Sequence, residues 1–254
     1  MSASTLATAR RALSLLNLTD LSDNADEAGL AALCARAVGE PVPVAAICIW
    51  PRFVAQARTM LGRAPVRIAT VVNFPQGEAT GAEVLAETQG AVAAGADEID
   101  LVLPWRAFLA GDAAGAEAMV GAVKEACGDK RLKVILETGE YPDLDKVRAA
   151  SELAIAAGAD FIKTSTGKTA HSASLPAART MLEVIAAAGQ PVGLKPSGGI
   201  RTLADAAGYL ELADAIMGPG WATPETFRFG ASGLHQVLVD AIAGGASGTA
   251  SGSY

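Results

Sequence analysis

The sequence predicts a single-domain (β/α)8 TIM barrel, because short apolar runs alternate with alanine-rich helical stretches and because one helix–strand unit recurs. AVAAGADEID (91–100) returns as AIAAGADFIK (154–163) and, more loosely, as AAAGQPVGLK (186–195). Each copy predicts a helix end, a capping glycine and the start of a strand. A doubly wound open sheet is the alternative, but it needs a glycine-rich turn after its first strand, where this chain has Pro51-Arg52-Phe53.

The elements begin with an additional N-terminal helix. Residues 1–18 predict an amphipathic helix with Leu6, Leu13 and Leu16 on one side; their arginines and lack of acids also resemble a transit peptide, the less favoured alternative. Continuous β-branched runs then predict strands that are buried on both faces. These runs are VAAICIW (44–50), VRIATVVNF (66–74), EIDLVLP (98–104), KVILET (133–138), FIKTST (161–166) and PVGLKP (191–196), with DAIMG (214–218) and FRFG (227–230) as weaker candidates.

Helices are expected between these strands. The stretch after Pro142 shows helical spacing of its apolar residues, and another is opened by Ser174 and Pro176, with proline in the first turn. The barrel domain is expected to cover residues 1–242. Residues 243–254 (AGGASGTASGSY) are small and polar without periodicity, and they predict a flexible tail that ends in Tyr254.

Composition limits the classes of function. A net charge of −7 disfavours a nucleic-acid-binding surface, and no run approaches the ~18 apolar residues of a membrane span. The three cysteines form no C-x-x-C pair, which indicates a reducing, cytoplasmic setting. Because the chain has only two histidines, the sequence predicts no metal centre and no cofactor, while homo-oligomerisation stays open.

Three ionisable residues stand inside otherwise apolar strands. Asp100 and Lys163 lie five residues past the capping glycines of their repeats, and Lys195 lies six residues past Gly189. In a barrel, side chains from separate strands converge near the C-terminal mouth, where active sites are built. Internal salt bridges without chemistry are the alternative, which two lysines and an acid on separate strands make the weaker one.

This combination predicts a particular chemistry. A lysine beside a second cation in a dry site loses its proton more easily and becomes a nucleophile toward carbonyl groups. An acid–base pair nearby can move protons at the carbinolamine and at a substrate hydroxyl. The sequence therefore predicts Schiff-base carbon–carbon bond chemistry, since a metal-dependent aldolase needs more ligands than it provides.

Two glycine-rich loops between a strand and a helix predict a phosphate site. PSGGIR (196–201) and FGASG (229–233) each precede a predicted helix, where backbone N–H groups can approach an anion, although either loop alone could be a tight turn. The run 164–169 resembles a nucleotide P-loop, but isoleucine at position 162 replaces the glycine which that motif requires. Counted from the first predicted strand, the two loops follow strands six and eight.

Two residues have less specific patterns. Cys48 lies in a predicted strand without a histidine partner in sequence, which favours a small core residue over a nucleophile. Glu137, late in its strand, is expected either to line the site or to pair with a lysine.

Several motifs resemble the deoxyribose-phosphate aldolases. They are AAICIWPRF (45–53), IATVVNFPQG (68–77), AGADEIDLVLP (94–104), KVILETGE (133–140), AGADFIKTSTGK (157–168), GLKPSGGIRT (193–202) and FRFGAS (227–232). The similarity runs from about residue 13 to the C-terminus, and FIKTSTGK with KPSGGIR is its specific part. It implies a single barrel acting as a class I aldolase that cleaves the phosphorylated sugar 2-deoxy-D-ribose 5-phosphate to acetaldehyde and D-glyceraldehyde 3-phosphate, in deoxyribose phosphate catabolism.

The resemblance also implies residue roles. Lys163 matches the Schiff-base lysine, Asp100 the proton-transfer acid, Lys195 the second lysine that tunes it, and Tyr254 a tail tyrosine that assists proton transfer at the enamine carbon. The implied set of phosphate- and substrate-binding residues is Gly167, Lys168, Gly198, Gly199, Arg201, Gly230, Ser232, Thr166, Thr19 and Cys48.

The chain departs from the family pattern at two positions. Asn17 stands where the family has an aspartate near the substrate end, and Gly233 replaces a second serine, which predicts modestly weaker phosphate binding. Two other functions stay as alternatives: a class I lyase or transaldolase acting on a different sugar phosphate, and a silent barrel that senses a sugar phosphate. The retained Lys163, Lys195 and Asp100 argue against the sensor.

Overall fold

The computed structural model describes residues 3–245, and within them eight parallel strands form one sheet. Each strand pairs with the next one along the chain from β1 to β7, and β1 also pairs with β8. The strands are β1 (Leu16–Asp20), β2 (Ala46–Ile49), β3 (Arg67–Val72), β4 (Glu98–Val102), β5 (Arg131–Ile135), β6 (Phe161–Lys163), β7 (Gly193–Lys195) and β8 (Phe229–Ala231).

Backbone hydrogen bonds among β7, β8 and the residues that flank them close the ring. The Leu194 N–H donates to the Thr226 carbonyl at 2.9 Å, and the Arg228 N–H donates back to the Leu194 carbonyl at 3.0 Å. The Gly230 N–H donates to the Pro196 carbonyl at 2.9 Å. Hydrogen bonding therefore runs around the whole sheet, and the predicted TIM-barrel fold class is confirmed.

Helices alternate with the strands and pack outside them. They are α1 (Ala3–Ser14), α2 (Glu27–Ala37), α3 (Val54–Leu61), α4 (Gly81–Ala93), α5 (Trp105–Leu109), α6 (Ala113–Cys127), α7 (Leu144–Ala156), α8 (Leu175–Ala188), α9 (Leu203–Met217) and α10 (Leu234–Ile242). Ser174 caps α8 as its sequence pattern predicts, because its side chain accepts from the Ala177 N–H. Thr80 and Thr202 form capping boxes that fix the starts of α4 and α9.

The prediction that the first helix extends through residue 18 is wrong. α1 ends at Ser14, and Leu16 opens β1 by pairing with Phe229 of β8. Only Leu15 separates helix from strand, and no glycine or proline marks the change. With β1 counted, the two glycine-rich loops follow β7 and β8, the usual phosphate position in such barrels, instead of strands six and eight.

The weak strand candidate DAIMG (214–218) is also wrong. Asp214–Met217 form the last turn of α9, and the helix ends at Gly218. No glycine or proline precedes DAIMG closely enough to stop the helix that starts after Thr202, so the helix continues, with Ile216 and Met217 half-buried against the core beside Leu210 and Ala213.

Strand residues alternate between two environments. Ile99 and Leu101 of β4 belong to the apolar core that the helices cover, while Glu98 and Asp100 are fully buried among charged groups of neighbouring strands. The Phe161 ring lies next to these groups, 5.2 Å from Cζ of Arg131, and a Cβ atom on Gly193 would stand only 2.4 Å from it. The barrel interior is therefore packed with polar and aromatic side chains, and its charged layer is built by β4 to β7 and by Arg228, just before β8.

Among residues 3–245, no helix is long and apolar enough to cross a membrane. α10 ends at Ile242. The predicted tail is described only as far as Gly245, so Tyr254 lies outside the described residues.

Candidate active site

Asp100 stands at the centre of the charged layer. Its Oδ2 lies 3.0 Å from Nζ of Lys163 and 2.6 Å from Nζ of Lys195, and all three residues are buried. The register explains this approach, since Lys163 of β6 pairs directly with Lys195 of β7. The structure thus brings together the three residues that the repeats single out, on three strands of the barrel.

Neighbouring charges lower the pKa values of both Asp100 and Lys163, against the effect of burial for Asp100 and together with it for Lys163. Burial alone would raise the pKa of Asp100, but the ammonium groups of Lys133, Lys195 and Lys163 outweigh it and hold that pKa well below its usual value. Burial lowers the pKa of Lys163, the Lys195 ammonium lowers it further, and Asp100 opposes both. An ionised carboxylate therefore lies beside a lysine that gives up its proton more easily than a free lysine does.

A second charged group underlies Asp100, and the sequence analysis did not single it out. Nζ of Lys133 lies 2.8 Å from Oδ1 of Asp100 and 2.6 Å from Oε2 of Glu98. Glu98 also accepts from Arg228 at 3.0 Å, and Lys133 and Arg228 bring the pKa of Glu98 to about 2 although its burial acts in the opposite direction. One signal was available in the sequence: Glu98 and Asp100 stand two residues apart in a strand, which puts both on one face.

The predicted phosphate residues surround a cavity of about 300 Å³ at the ends of β6, β7 and β8. Of the predicted set, its lining includes Gly167, Gly198, Gly199, Arg201, Gly230 and Ser232. Ser172, which the sequence analysis missed, is also part of it. Gly233 lies in the lining as well and is the N-cap of α10. Because no side chain caps this helix, the N–H groups of its first turn are available to an anion in the cavity.

The glycines of this cavity have steric reasons to be glycine. Gly198 has φ +80°, and a Cβ atom there would stand 2.6 Å from Oγ of Ser172. A Cβ atom on Gly230 would stand 1.9 Å from Oγ of Ser197 and 3.2 Å from Cε of Lys195. The backbone therefore approaches both the anion-sized cavity and the charged layer closely.

Glu137 organises the loop after β6. Its carboxylate accepts from the Thr166 N–H at 3.1 Å, from the Thr166 hydroxyl at 2.5 Å and from the Thr169 hydroxyl at 3.4 Å. Its backbone is left-handed with φ 63°, a conformation that costs a residue other than glycine about 1–2 kcal/mol. Burial raises the pKa of Glu137, while the bonds from Thr166 oppose that rise. Glu137 does not line the 300 Å³ cavity itself, and it contacts the loop beside that cavity through Thr166 and Thr169.

Thr166 and Lys168 belong to the same loop. The Lys168 N–H donates to Oγ1 of Thr166 at 3.0 Å, and Nζ of Lys168 lies 3.8 Å from Asp23. The Lys168 side chain does not line the 300 Å³ cavity within the described residues. Lys168 is therefore near the predicted phosphate site but is oriented toward the loop after β1.

Thr19 and Cys48 are neighbours on β1 and β2. They pair in register, both are buried, and the Thr19 hydroxyl donates to the Asn17 carbonyl at 2.9 Å. Cys48 packs with Leu21, Ala69 and Val71 in a small apolar cluster inside the barrel, and burial raises the pKa of its thiol. This environment agrees with the expectation that Cys48 is a small packing residue with an unreactive thiol.

Asn17 contacts the lower part of the charged layer. Its Oδ1 accepts from Arg228 at 2.8 Å, and its buried Nδ2 has no partner within the described chain. An aspartate here would place a second negative charge beside Arg228, which Glu98 already neutralises.

Within the same described residues, no group of three His, Cys, Asp or Glu side chains could hold a metal ion.

Comparison with known proteins places this geometry in a family. A model described as the DeoC/LacD family aldolase matches residues 17–253. The chain belongs to the DeoC/LacD aldolase family. The match begins within β1 and covers Asp100, Lys163 and Lys195.

Relatives in sequence and structure agree with this assignment. A deoxyribose-phosphate aldolase from Agrobacterium fabrum is 55% identical over 87% of this chain and 86% of its own length. A crystal structure from Toxoplasma gondii, provisionally assigned as a deoxyribose-phosphate aldolase, superposes with a TM-score of 0.89 at 28% identity, covering 97% of this chain and 100% of that one. The family resemblance that the motifs indicated is confirmed, and the chain is an aldolase, an enzyme of the carbon–carbon lyase class.

Proposed function

We propose that this enzyme reversibly cleaves 2-deoxy-D-ribose 5-phosphate to acetaldehyde and D-glyceraldehyde 3-phosphate through a Schiff base on Lys163. The observation that carries the proposal is the sharing of one oxygen: Oδ2 of Asp100 lies within 3.0 Å of both lysine Nζ atoms. The name of the Agrobacterium fabrum relative supports the choice of substrate.

Imine formation starts from neutral Lys163. Its Nζ attacks the C1 aldehyde, the carbinolamine loses water, and the resulting iminium withdraws electrons from the C2–C3 bond. Burial and the Lys195 ammonium favour the neutral amine of Lys163, and Asp100 accepts a hydrogen bond from Lys195 that holds this ammonium in place. Lys163 is thus reactive because a second cation lies close to it.

Cleavage needs a base at the C3 hydroxyl. Asp100, with Lys195 and a water, takes this proton while the C2–C3 electron pair moves into the iminium and forms an enamine. D-glyceraldehyde 3-phosphate leaves, the enamine carbon is protonated, and water hydrolyses the acetaldehyde imine to regenerate the Lys163 amine. We assign the enamine protonation to Tyr254, as the family resemblance implies.

The phosphate of the substrate occupies the cavity at the ends of β6, β7 and β8. Backbone N–H groups beside Gly198, Gly199 and Gly230 and at the start of α10 bind its oxygens, together with Ser232 and Arg201. Lys168, in the loop after β6, binds the phosphate by turning its side chain away from Asp23, from which its Nζ lies 3.8 Å in this structure. We assign Thr19 and Cys48 to the side of the acetaldehyde-derived carbons, as the family resemblance implies, since Cys48 lies in an apolar cluster and pairs in register with Thr19.

Borohydride trapping with acetaldehyde tests this function. We expect one added ethyl group on the tryptic peptide that carries Lys163, found by peptide mass mapping. Lys163→Leu should lose both the adduct and the cleavage of the phosphorylated sugar, whereas the matched Lys130→Leu variant, at an ion pair with Asp129 outside the barrel, should keep both. Folded wild-type protein without an adduct would contradict the Schiff-base mechanism.

We also propose a cytoplasmic enzyme that forms homo-oligomers. The cysteines Cys34, Cys48 and Cys127 are all buried and free, which supports a reducing compartment. A deoxyribose phosphate aldolase from Aeropyrum pernix, with a TM-score of 0.75 at 24% identity, is tetrameric. Light scattering coupled to size-exclusion chromatography measures the assembly directly, and a mass of one chain would contradict it.

A further inference from the structure

Lys133 has a place in the charged layer that the proposed reaction does not yet use. It lies on β5, fully buried, with Nζ between two carboxylates: 2.8 Å from Oδ1 of Asp100 and 2.6 Å from Oε2 of Glu98. Burying an ammonium is costly unless it is paired and hydrogen-bonded, and here two carboxylates pair with it. Because burial of the Lys133 ammonium is unfavourable and it contacts Asp100 directly, we expect a role for it beyond packing.

The two oxygens of Asp100 have different partners. Oδ1 bonds to Lys133, and Oδ2 bonds to Lys163 at 3.0 Å and Lys195 at 2.6 Å. The oxygens of a carboxylate are chemically equivalent, so only their partners decide which one faces the two lysines of β6 and β7. Without Lys133 the carboxylate could rotate and give both oxygens to Lys163 and Lys195.

Lys133 is itself held from below. Glu98 accepts from Lys133, from Arg228 at 3.0 Å and from Arg131 at 3.2 Å, and Arg67 lies 3.8 Å away, so four cations surround its carboxylate. The titratable and charged groups around Lys133 and Asp100 are Cys48, Glu98, Lys163 and Lys195 on the strands and Cys127 at the end of α6. Arg67, Arg131 and Arg228 surround the Glu98 carboxylate beneath them. Glu98 offsets the positive charge of Lys133, which leaves Lys133 as a fixed hydrogen-bond donor to Asp100.

We propose that Lys133 is a positioning residue, which holds Oδ1 of Asp100 so that Oδ2 alone faces Lys163, Lys195 and the reacting C3 hydroxyl, while Glu98 holds Lys133. This inference rests on the proposed function. It assigns a third lysine to the aldolase, one that acts through Asp100 and does not touch the substrate.

The substitution Lys133→Met tests the proposal, since it keeps the length of the side chain and removes its charge. We expect kcat for cleavage to fall about 10²-fold, the loss that follows when a catalytic group is misplaced by ~1 Å, with little change in KM. Both Asp100 oxygens then stabilise the Lys163 ammonium, so the acid limb of the kcat/KM–pH profile should move about one unit toward higher pH. Lys124→Met, which removes an ammonium bonded to Asp160 at 2.6 Å outside the barrel, is the matched control and should leave the profile unchanged.

A double variant separates positioning from stability. Lys133→Met leaves Glu98 buried with one cation fewer, and combining it with Glu98→Gln removes this uncompensated charge. We expect the double variant to regain thermal stability but to keep the low kcat and the shifted acid limb. Recovery of kcat together with stability, or a Lys133→Met variant with wild-type kinetics, would overturn the positioning role. Absence of the ethyl adduct in wild-type protein would instead count against the proposed function.

Discussion

Asp100 and Glu137 are both fully buried carboxylates, but their surroundings shift their proton affinities in opposite directions. Asp100 lies inside the barrel among the ammonium groups of Lys133, Lys163 and Lys195, which hold its pKa well below the usual value. Glu137 lies in the loop after β5 and accepts from the amide and hydroxyl of Thr166 and from the hydroxyl of Thr169; its pKa is raised by burial. The barrel interior compensates charge with charge, while the loops hold charge with neutral donors.

This difference has a physical consequence for each region. In the interior, removal of one charge leaves others buried and unpaired, which is far more costly than the loss of one hydrogen bond. In the loop region, the ionised carboxylate is the disfavoured form, because neutral donors only partly replace its hydration. Substitutions that keep shape but remove charge should therefore act in opposite directions in the two regions.

The largest effect is expected for Asp100→Asn. The amide keeps the shape of the carboxylate but cannot take the C3 hydroxyl proton, so kcat for cleavage should fall by about 10²–10⁴-fold, the usual contribution of general acid–base catalysis. Loss of the carboxylate also removes the group that opposes the low pKa of Lys163, so borohydride should still trap acetaldehyde on Lys163. Cleavage assays and, after borohydride trapping, peptide mapping on the same folded sample check both outcomes. A variant that retained kcat within tenfold of wild type would show that Asp100 is not the base.

The sequence alone predicted the three charged residues that occupy matching places in the helix–strand repeat. Asp100, Lys163 and Lys195 follow capping glycines in copies of one helix–strand unit, so their convergence is a consequence of the barrel. The sequence analysis missed Lys133 because it is the first residue of the run KVILET, where a lysine usually lies at the exposed end of a strand. Its burial depends on Glu98 of another strand, a pairing in three dimensions that no local pattern records.

The same reasoning explains the elements that were misassigned. Local signals set helix ends where a cap or glycine stands, as at Ser174 and Thr202. β1 lacks such a signal, and its polar residues Asn17, Thr19 and Asp20 do not read as a buried strand. They become strand residues because β2 and β8 need a partner to close the ring, which is a property of the whole sheet.

The next largest effect is expected on acid stability through Glu98. Its pKa in the fold is about 2, against 4.5 for a free glutamate, so the fold binds fewer protons than the unfolded chain at intermediate pH. This contribution is present above about pH 4.5 and is lost as pH falls toward about 2, and it is worth about 3 kcal/mol at neutral pH. Glu98→Gln should lower the free energy of unfolding at neutral pH by this order and flatten its fall in acid. Urea titrations across that range measure both, and an unchanged acid slope would contradict the charge compensation.

The smallest effect, opposite in sign, is expected at Glu137. Because its pKa is raised in the fold, the unfolded chain releases the proton at lower pH, and ionisation of Glu137 destabilises the fold once pH exceeds both pKa values. The penalty declines as pH falls below the raised value, and it is gone once pH lies below the pKa of the unfolded chain. Glu137→Gln removes this penalty and keeps an oxygen that accepts from the Thr166 N–H. The free energy of unfolding at neutral pH should therefore rise, by about 1 kcal/mol or less, since one acceptor is exchanged for a donor.

Urea titrations of Glu137→Gln beside Glu98→Gln make the comparison direct, because both replace a fully buried carboxylate with the same amide. Destabilisation of comparable size in both variants would mean that Glu137 is held by charge, with Lys163 as the partner whose charge lowers the pKa of Glu137. Opposite signs would mean that the loop tolerates a neutral side chain in a way the barrel interior does not. In that case only the interior depends on buried ionic pairs, and the loop keeps its shape through the bonds from Thr166 and Thr169.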